Sequence, residues 1–366
     1  MRRSRIDTTL AFLIALLVVG GAFIFASAAF GLLARGSSGM TSVFFSHLVL
    51  GIGTGLVALL FAVNIDVGHL RRYAPYIFVA ALIATALVFV PHLGASHGGG
   101  RRWIILLGTS LQPSEAMKLA TLIMAAAYFA GIKGHVNTIL YGLGGFAAIV
   151  IGPSLLLLLQ PDLGTLGVIG ISSLSIFWAA GARKRDIALM VLIGLIALAA
   201  LAYAKPYVRD RVQTFLDPSQ GQLEESYQIR QSLIAIGSGQ LLGRGFGQGV
   251  QKFTYLPEPM GDSIFAVASE ELGFAGASAI IILFTLFVLR GYHIAARAAD
   301  PFAKYLAVGI STYLVCEAFI NIAALLGLAP LTGIPLTFIS QGGTAMMVSL
   351  ASAGVLLSIS RKRHKA

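Results

Sequence analysis

Glu258, Asp262, Glu270 and Glu271 fall close together in a chain that otherwise avoids charge. Pro257, Pro259 and Gly261 fix and sharpen a turn that closes at Asp262, and a largely apolar helix is predicted to begin at Ser263. Asp is a favoured N-cap residue, so capping that helix is one reading of Asp262. General-base chemistry is the other. A carboxylate at the edge of a membrane cavity is partly desolvated, which raises its pKa and its basicity. Glu270 and Glu271 lie two turns further on, and at least one must face a bundle interior, as a hydrogen-bonding partner or as a second chemical group.

Other polar groups interrupt apolar runs. Gln112-Pro113-Ser114-Glu115 followed by Lys118 reads as a helix start, with proline and then an acid in the first turn. Glu115 and Lys118 are three apart and share a face, either as a neutralised ion pair or as the lining of a polar cavity. In Gln160-Pro161-Asp162-Leu163-Gly164, Asp162 either caps the next helix or is a second acid facing that cavity. Glu317 is a further acid inside an apolar run. The glycine-rich residues 237–249 lack a preceding strand and a GK[ST] ending, so nucleotide binding is rejected. They read as a surface turn or as backbone amides cradling a lipid-linked pyrophosphate. Gly342-Gly343, after Ser340, permits close packing or irregular backbone beside a cavity.

The elements that must position these groups are membrane helices. Of the 366 residues, 57% are hydrophobic and 11% charged, against roughly 25% charged in soluble domains. The expected fold is an all-α polytopic membrane protein forming a single domain over residues 1–366. Ten spans are predicted, at 9–30, 41–63, 73–90, 114–130, 136–158, 163–180, 186–204, 263–289, 302–326 and 338–358. The first follows Arg2-Arg3-Ser4-Arg5 and is too long for a secretory signal, so it is read as an uncleaved span.

An even count puts both termini on one side. That side holds Arg2, Arg3, Arg5, Arg71, Arg72, Lys133, Arg183, Lys184, Arg185, Arg290, Arg297, Lys304, Arg361, Lys362, Arg363 and Lys365. The short loops opposite hold only Arg35, Arg101 and Arg102, so both termini are expected in the cytoplasm. This asymmetry accounts for much of the +11 net charge without a nucleic-acid partner. The outer loop 205–262 is too long for a connector and is expected to carry short helices, near 213–215 and 227–236. No internal repeat is visible, which weighs against a repeat-built transporter. The single cysteine, Cys316, excludes an intramolecular disulfide.

Several of these stretches together resemble the SEDS proteins (shape, elongation, division, sporulation). They are Arg101-Arg102-Trp103-Ile104, Gln112-Pro113-Ser114-Glu115 with Lys118, Gln160-Pro161-Asp162-Leu163-Gly164, and Tyr255-Leu256-Pro257-Glu258 with Asp262. Glu270-Glu271-Leu272-Gly273 and Ser340 with Gly342-Gly343 complete the set, in order over nearly the whole chain. The segment from Gln251 to Glu258 resembles the FtsW-like division branch more than the RodA-like elongation branch, and Thr332-Gly333-Ile334-Pro335-Leu336 leans toward the latter. The chain has Gly261-Asp262-Ser263 where the family usually has Thr-Asp-Phe, and Ser340-Gln341-Gly342-Gly343-Thr344 where it has Ser-Tyr-Gly-Gly-Ser.

The resemblance implies a ten-span peptidoglycan glycosyltransferase polymerising lipid II at the outer face of the bacterial cytoplasmic membrane, in division or elongation. It implies a class B penicillin-binding protein as transpeptidase partner, within divisome or elongasome membrane proteins. Asp262 would be the general base, with Arg101, Arg102, Trp103, Glu115, Lys118, Asp162, Lys252, Glu258, Ser340, Gly342 and Gly343 contacting substrate. Lys118, Arg101 or Lys252 would stabilise the leaving pyrophosphate. A divalent cation (Mg or Mn) would help, with no dedicated site visible. The alternatives are a flippase for lipid-linked cell-wall precursors and a scaffold of the wall-synthesis complex.

Overall fold

The computed structural model describes residues 6–34, 43, 45–97, 100–106, 109–217 and 223–361. Of the cations that orient the chain, Arg2, Arg3, Arg5, Arg35, Lys362, Arg363 and Lys365 lie outside the described residues. Nine helices among the described residues are long and apolar enough to cross a membrane, and Leu163–Ala179 is a shorter apolar helix at the sixth expected position. The chain is therefore a polytopic helical membrane protein.

The first helix, α1 (Thr8–Ala34), is followed by a π-helix over Ser46–Gly53 that runs into α2 (Thr54–Asn64), and then by α3 (Val67–Ala86). Next come three short strands, β1 (Gly94–His97), β2 (Gly100–Leu106) and β3 (Thr109–Leu111), before α4 (Pro113–Ile132). The apolar helices α5 (Gly145–Leu159), α6 (Leu163–Ala179) and α7 (Lys184–Ala204) follow. The long segment after α7 carries α8 (Pro206–Leu216), α9 (Leu223–Ser238) and the one-turn α10 (Gln251–Thr254). Both expected loop helices are therefore present, and longer than their sequence signals. The chain ends with α11 (Ile264–Ala296), α12 (Pro301–Leu325) and α13 (Gly343–Arg361).

Helix starts follow local chemistry. Pro113, Pro206 and Pro301 each open a helix, where the missing N–H costs nothing. Asp66, Asp162 and Asp300 cap α3, α6 and α12 with side-chain bonds to free backbone N–H groups. Packing then sorts the helices. α13 lies along α2, α11 against α12, α3 against α4, and α12 across α6. Phe129, Phe146 and Phe177 join α4, α5 and α6, with ring centroids 5.1 and 5.4 Å apart. α7 is largely apolar and, apart from Asp186 at its start, buries no residue, so it lies on the outside of the bundle with its apolar faces uncovered. Near one membrane face Arg290 grips both Asp7 oxygens at 2.9 and 2.8 Å, and Ser360 accepts from the Asp7 N–H, tying α1, α11 and α13 together.

Three features correct the expected layout. The segment before α4, given no secondary structure by the sequence, holds a small antiparallel sheet of β1, β2 and β3, with Ala95 opposite Trp103 and Ile104 opposite Leu111. The last helix begins at Gly343 rather than 338, because residues 330–342 run as an extended and turning strip. The eighth span is broken. Gly273 sits at φ 65° and ψ −167° inside α11, dividing it into a half-helix over 264–272 and a longer continuation.

The glycine-rich segment fills that break. The N–H groups of Arg244 and Gly245 donate to the carbonyls of Glu270 and Glu271 at 3.0 Å each, and those of Phe274 and Ala275 donate to Gln240 and Leu241. Freed helical groups thus find partners across the break, as a membrane interior demands. A Cβ on Gly243 would come within 2.0 Å of the Glu271 carbonyl oxygen, and one on Gly273 within 2.2 Å of the Gly243 nitrogen. The Gly243, Arg244, Gly245 and Gly247 amides are therefore committed within the protein rather than free to cradle a phosphate.

Candidate active site

The turn before α11 is built from its own backbone first. Glu258 adopts φ 42°, and its carbonyl accepts from the N–H of Gly261 at 3.0 Å and of Ser263 at 3.2 Å. The strip before α13 then locks onto the turn. Gln341 N–H donates to the Met260 carbonyl at 2.8 Å, and Ser340 Oγ donates to the Gly261 carbonyl at 2.7 Å while accepting from Leu336 N–H. Asn321, on α12, donates to the Asp262 carbonyl at 2.7 Å and to the Ile334 carbonyl at 2.8 Å. Three separate segments therefore hold the backbone on which Asp262 stands.

Asp262 is not the cap of α11. Ser263 occupies that position, without a side-chain capping bond. The Asp262 carboxylate instead accepts from Gln228 Nε2 on α9 at 3.0 Å, and the same amide lies 3.0 Å from Ser263 Oγ. The carboxyl pKa is pushed up to about 6, mainly by burial and next by the neighbouring Glu258 carboxylate, with the hydrogen bonds from Gln228 and Ser263 opposing. Such a group is ionised near neutrality yet more basic than an ordinary carboxylate, which is what a general base requires. Replacing Gln228 with Leu removes a donor to the charged form. The acid limb of the pH–activity profile is then expected to move above that of the wild type, and an unmoved limb would take Gln228 out of the site.

A second polar centre lies in the helix bundle. Lys118 on α4 is fully buried, with its ammonium 2.9 Å from Glu115 and 2.6 Å from Glu317 on α12. The Tyr313 ring lies 5.1 Å from the same nitrogen. The expectation that Lys118 meets a leaving pyrophosphate is corrected here, since two carboxylates already take its charge. Glu317 and Ser340 line one small cavity with Thr337 and Ser349, but neither Asp262 nor Lys118 does.

The other expected site residues divide. Arg101, on β2, is exposed. Arg102 donates to the Gln160 carbonyl at 3.0 Å and also to the Pro161 carbonyl, pinning the sheet to the α5–α6 connection. Trp103 is half-buried in the same strand. Asp162 spends both oxygens on Thr165, one on its N–H and one on its hydroxyl, so the capping geometry is the observed one. Glu258 is exposed beside Asp262, Gly342 ends the strip that carries Ser340, and Gly343 opens α13. Lys252 is not brought to this surface: it is fully buried and bonded to Glu271, which corrects its expected contact with pyrophosphate. Among the described residues no group of three or more His, Cys, Asp or Glu side chains is placed to hold a metal ion.

Sequence reasoning missed Gln228 and Asn321 and gave Glu317 no role. Gln228 lies in a helix read only as amphipathic. Asn321 had one usable signal: it falls four residues after Glu317, on the same face of an apolar helix.

Known proteins match at the levels of family, sequence and fold. The FtsW/RodA/SpoVE family of cell cycle proteins matches residues 7–365. Stage V sporulation protein E of Bacillus subtilis is 38% identical over 321 residues, covering 87% of this chain and 88% of the relative. A probable peptidoglycan glycosyltransferase FtsW of Geobacter sulfurreducens is 37% identical over 311 residues, covering 85% and 83%. Among solved structures, a chain of a peptidoglycan synthase complex that coordinates polymerization and crosslinking aligns with a TM-score of 0.76 at 26% identity, over 99% of each chain. The rod shape determining protein RodA of Thermus thermophilus aligns with a TM-score of 0.73 at 25% identity, over 99% of this chain and 98% of its own.

Proposed function

Because the chain belongs to the FtsW/RodA/SpoVE family and is a peptidoglycan glycosyltransferase, we propose that it polymerises lipid II with Asp262 as general base. The observation that carries this reading is the Asp262 carboxylate: half-buried, raised to about 6, and fixed through its backbone by Ser340 and Asn321. In the reaction Asp262 removes the proton from the 4-hydroxyl of the acceptor sugar. The oxygen attacks the anomeric carbon of a lipid-pyrophosphate donor, the bond from that carbon to the pyrophosphate oxygen breaks, and the centre inverts. The leaving pyrophosphate carries away the electron pair and the charge. Arg101 is the exposed cation suited to meet it, whereas Lys118 and Lys252 are held by buried acids. Glu258, the charged neighbour of Asp262, borders the acceptor position, and Trp103, Gly342 and Gly343 are the further residues assigned to substrate by the family resemblance.

The site belongs on the outer face of the bacterial cytoplasmic membrane with both termini in the cytoplasm, as the distribution of Arg and Lys supports. A class B penicillin-binding protein is the proposed partner, within the division or elongation machinery. That proposal draws on the fold shared with a chain of a peptidoglycan synthase complex. Mg or Mn would neutralise the pyrophosphate, but no clustered ligand set is present among the described residues, so no step is routed through a cation.

The test is polymerisation of lipid II by the purified protein in detergent, with and without the partner. Detergent removes sidedness, so a flippase would leave lipid II unchanged. Glycan strands are the expected product, and their absence with the partner present would overturn the proposal.

A further inference from the structure

A cluster of buried charge outside the reaction centre has no role so far. Glu271 is 3% exposed and Lys252 is 0% exposed. Lys252 Nζ lies 2.5 Å from Glu271 Oε1, 2.8 Å from Ser27 Oγ on α1 and 3.1 Å from the Gly247 carbonyl. Those contacts use all three protons of the ammonium, leaving none for a phosphate. Ser27 Oγ also lies 2.7 Å from both Glu271 oxygens, and Gly247 N–H donates to Glu271 Oε2 at 3.0 Å. The adjacent Glu270 accepts from the N–H groups of Val250 and Gln251 at 2.9 and 3.2 Å.

The position of this cluster along the chain matters as much as its bonds. Lys252 lies on α10, just before the turn that carries Asp262, and Glu271 lies at the end of the half-helix that follows. The pair therefore closes the excursion 252–271 at its base, with Asp262 near the middle. A half-helix so short does not hold itself. Its far end is separated from the rest of α11 by Gly273 and is held instead by the glycine-rich segment, through the Glu270 and Glu271 carbonyls. Closing such a loop limits the positions open to its apex.

We propose that the buried Lys252–Glu271 pair, sealed by Ser27, is a positioning device that clamps both ends of the segment presenting Asp262. It rests on the reading of Asp262 as the base. Glu258 is the charged group facing Asp262, while Gln228 from α9 and Asn321 from α12 are neutral. Loosening the clamp lets water reach the Asp262 carboxyl, which lowers its pKa toward the ordinary value.

The experiment is a double-mutant cycle in the full chain with its partner. Lys252→Met, Glu271→Gln, the double variant and Lys252→Arg are assayed for turnover, KM for lipid II and pH profile. Lys252→Met strands the Glu271 carboxylate, and turnover is expected to fall by about tenfold or more with KM little changed. Its acid limb should move below that of the wild type. The double variant, with no charge left to strand, should recover to within about threefold of the wild type, and Lys252→Arg should retain most turnover. If the double variant is as slow as Lys252→Met and KM rises, Lys252 serves the pyrophosphate and the proposal fails. Full activity of Lys252→Met overturns it as well. If that variant does not fold, the double variant still decides, because a folded and active double is required. Asp262→Asn run alongside separates the two readings. An active Asp262→Asn overturns the base itself, and an inactive one without recovery in the double variant overturns only the clamp.

Discussion

Asp262→Asn is expected to reduce lipid II polymerisation by about 10²–10⁴, the usual range for removal of a general base. The substitution is nearly isosteric and keeps a carbonyl oxygen for Gln228 Nε2 to donate to. The backbone contacts from Asn321 to Asp262 and from Ser340 to Gly261 do not involve the replaced atoms, so the turn is expected to stand. What is lost is the capacity to take a proton. The wild-type pH profile carries the same argument. Asp262 acts as a base only when ionised, so activity should rise with pH through about 6 and level off above it. In the variant that limb should vanish along with the activity. Glycan yield from monodisperse Asp262→Asn with its partner is the measurement, and wild-type yield would remove Asp262 from the mechanism. A chain acting only as a scaffold would also complement fully in cells with Asn at this position.

How much of this was legible in the sequence depends on how far apart the partners lie. The turn at Asp262 was readable because Pro257, Pro259 and Gly261 act locally. The pair of Glu115 and Lys118 was readable because helical spacing alone brings them together. The capping role of Asp162 was one of two open readings, and Thr165, three residues on, was the local clue. Long-range partners carry no such clue. Nothing in the sequence assigns Gln228 to Asp262, or Ser27 and Lys252 to Glu271, because only tertiary packing sets those meetings. Lys252 shows this most plainly: a cation just before the turn that carries Asp262 suggests an exposed role, and the buried acid that claims it, Glu271, lies on another helix. For Lys118 the partner that spacing could not reveal is the second acid, Glu317.

The broken helix was half visible. A glycine inside an apolar helical pattern signals close backbone approach, yet Gly273 gained its meaning only from Gly243, which fills the space beside it. The small sheet was hidden because its strands are short and carry charged Arg101 and Arg102 in an otherwise apolar chain. The ten apolar segments, by contrast, were fixed by composition and length, where the cost of unpaired backbone in lipid leaves little freedom.

Lys118→Met is expected to destabilise the protein by about 3–5 kcal/mol, the cost of breaking a buried ion pair from one side. The side chain is 1% exposed and lies between two acids that are themselves buried, Glu115 at 2% and Glu317 at 1%. Methionine matches the length and apolar character of the lysine stem, so packing against Tyr313 is largely kept. The loss is electrostatic: two carboxylates remain facing each other across the space the ammonium filled. Restoring neutrality should therefore restore stability. The triple variant Lys118→Met/Glu115→Gln/Glu317→Gln is expected to unfold near the wild-type temperature, because a centre without charge carries no uncompensated desolvation. Thermal unfolding of the detergent-solubilised variants reads both effects. If Lys118→Met melts with the wild type, the ammonium is not what holds α4 to α12. If the triple variant remains as unstable as the single one, the centre depends on the shape of the lysine rather than its charge. Activity then separates structure from chemistry: a stable triple variant that still polymerises lipid II would confine this centre to holding the two helices whose other residues, Asn321 foremost, support Asp262.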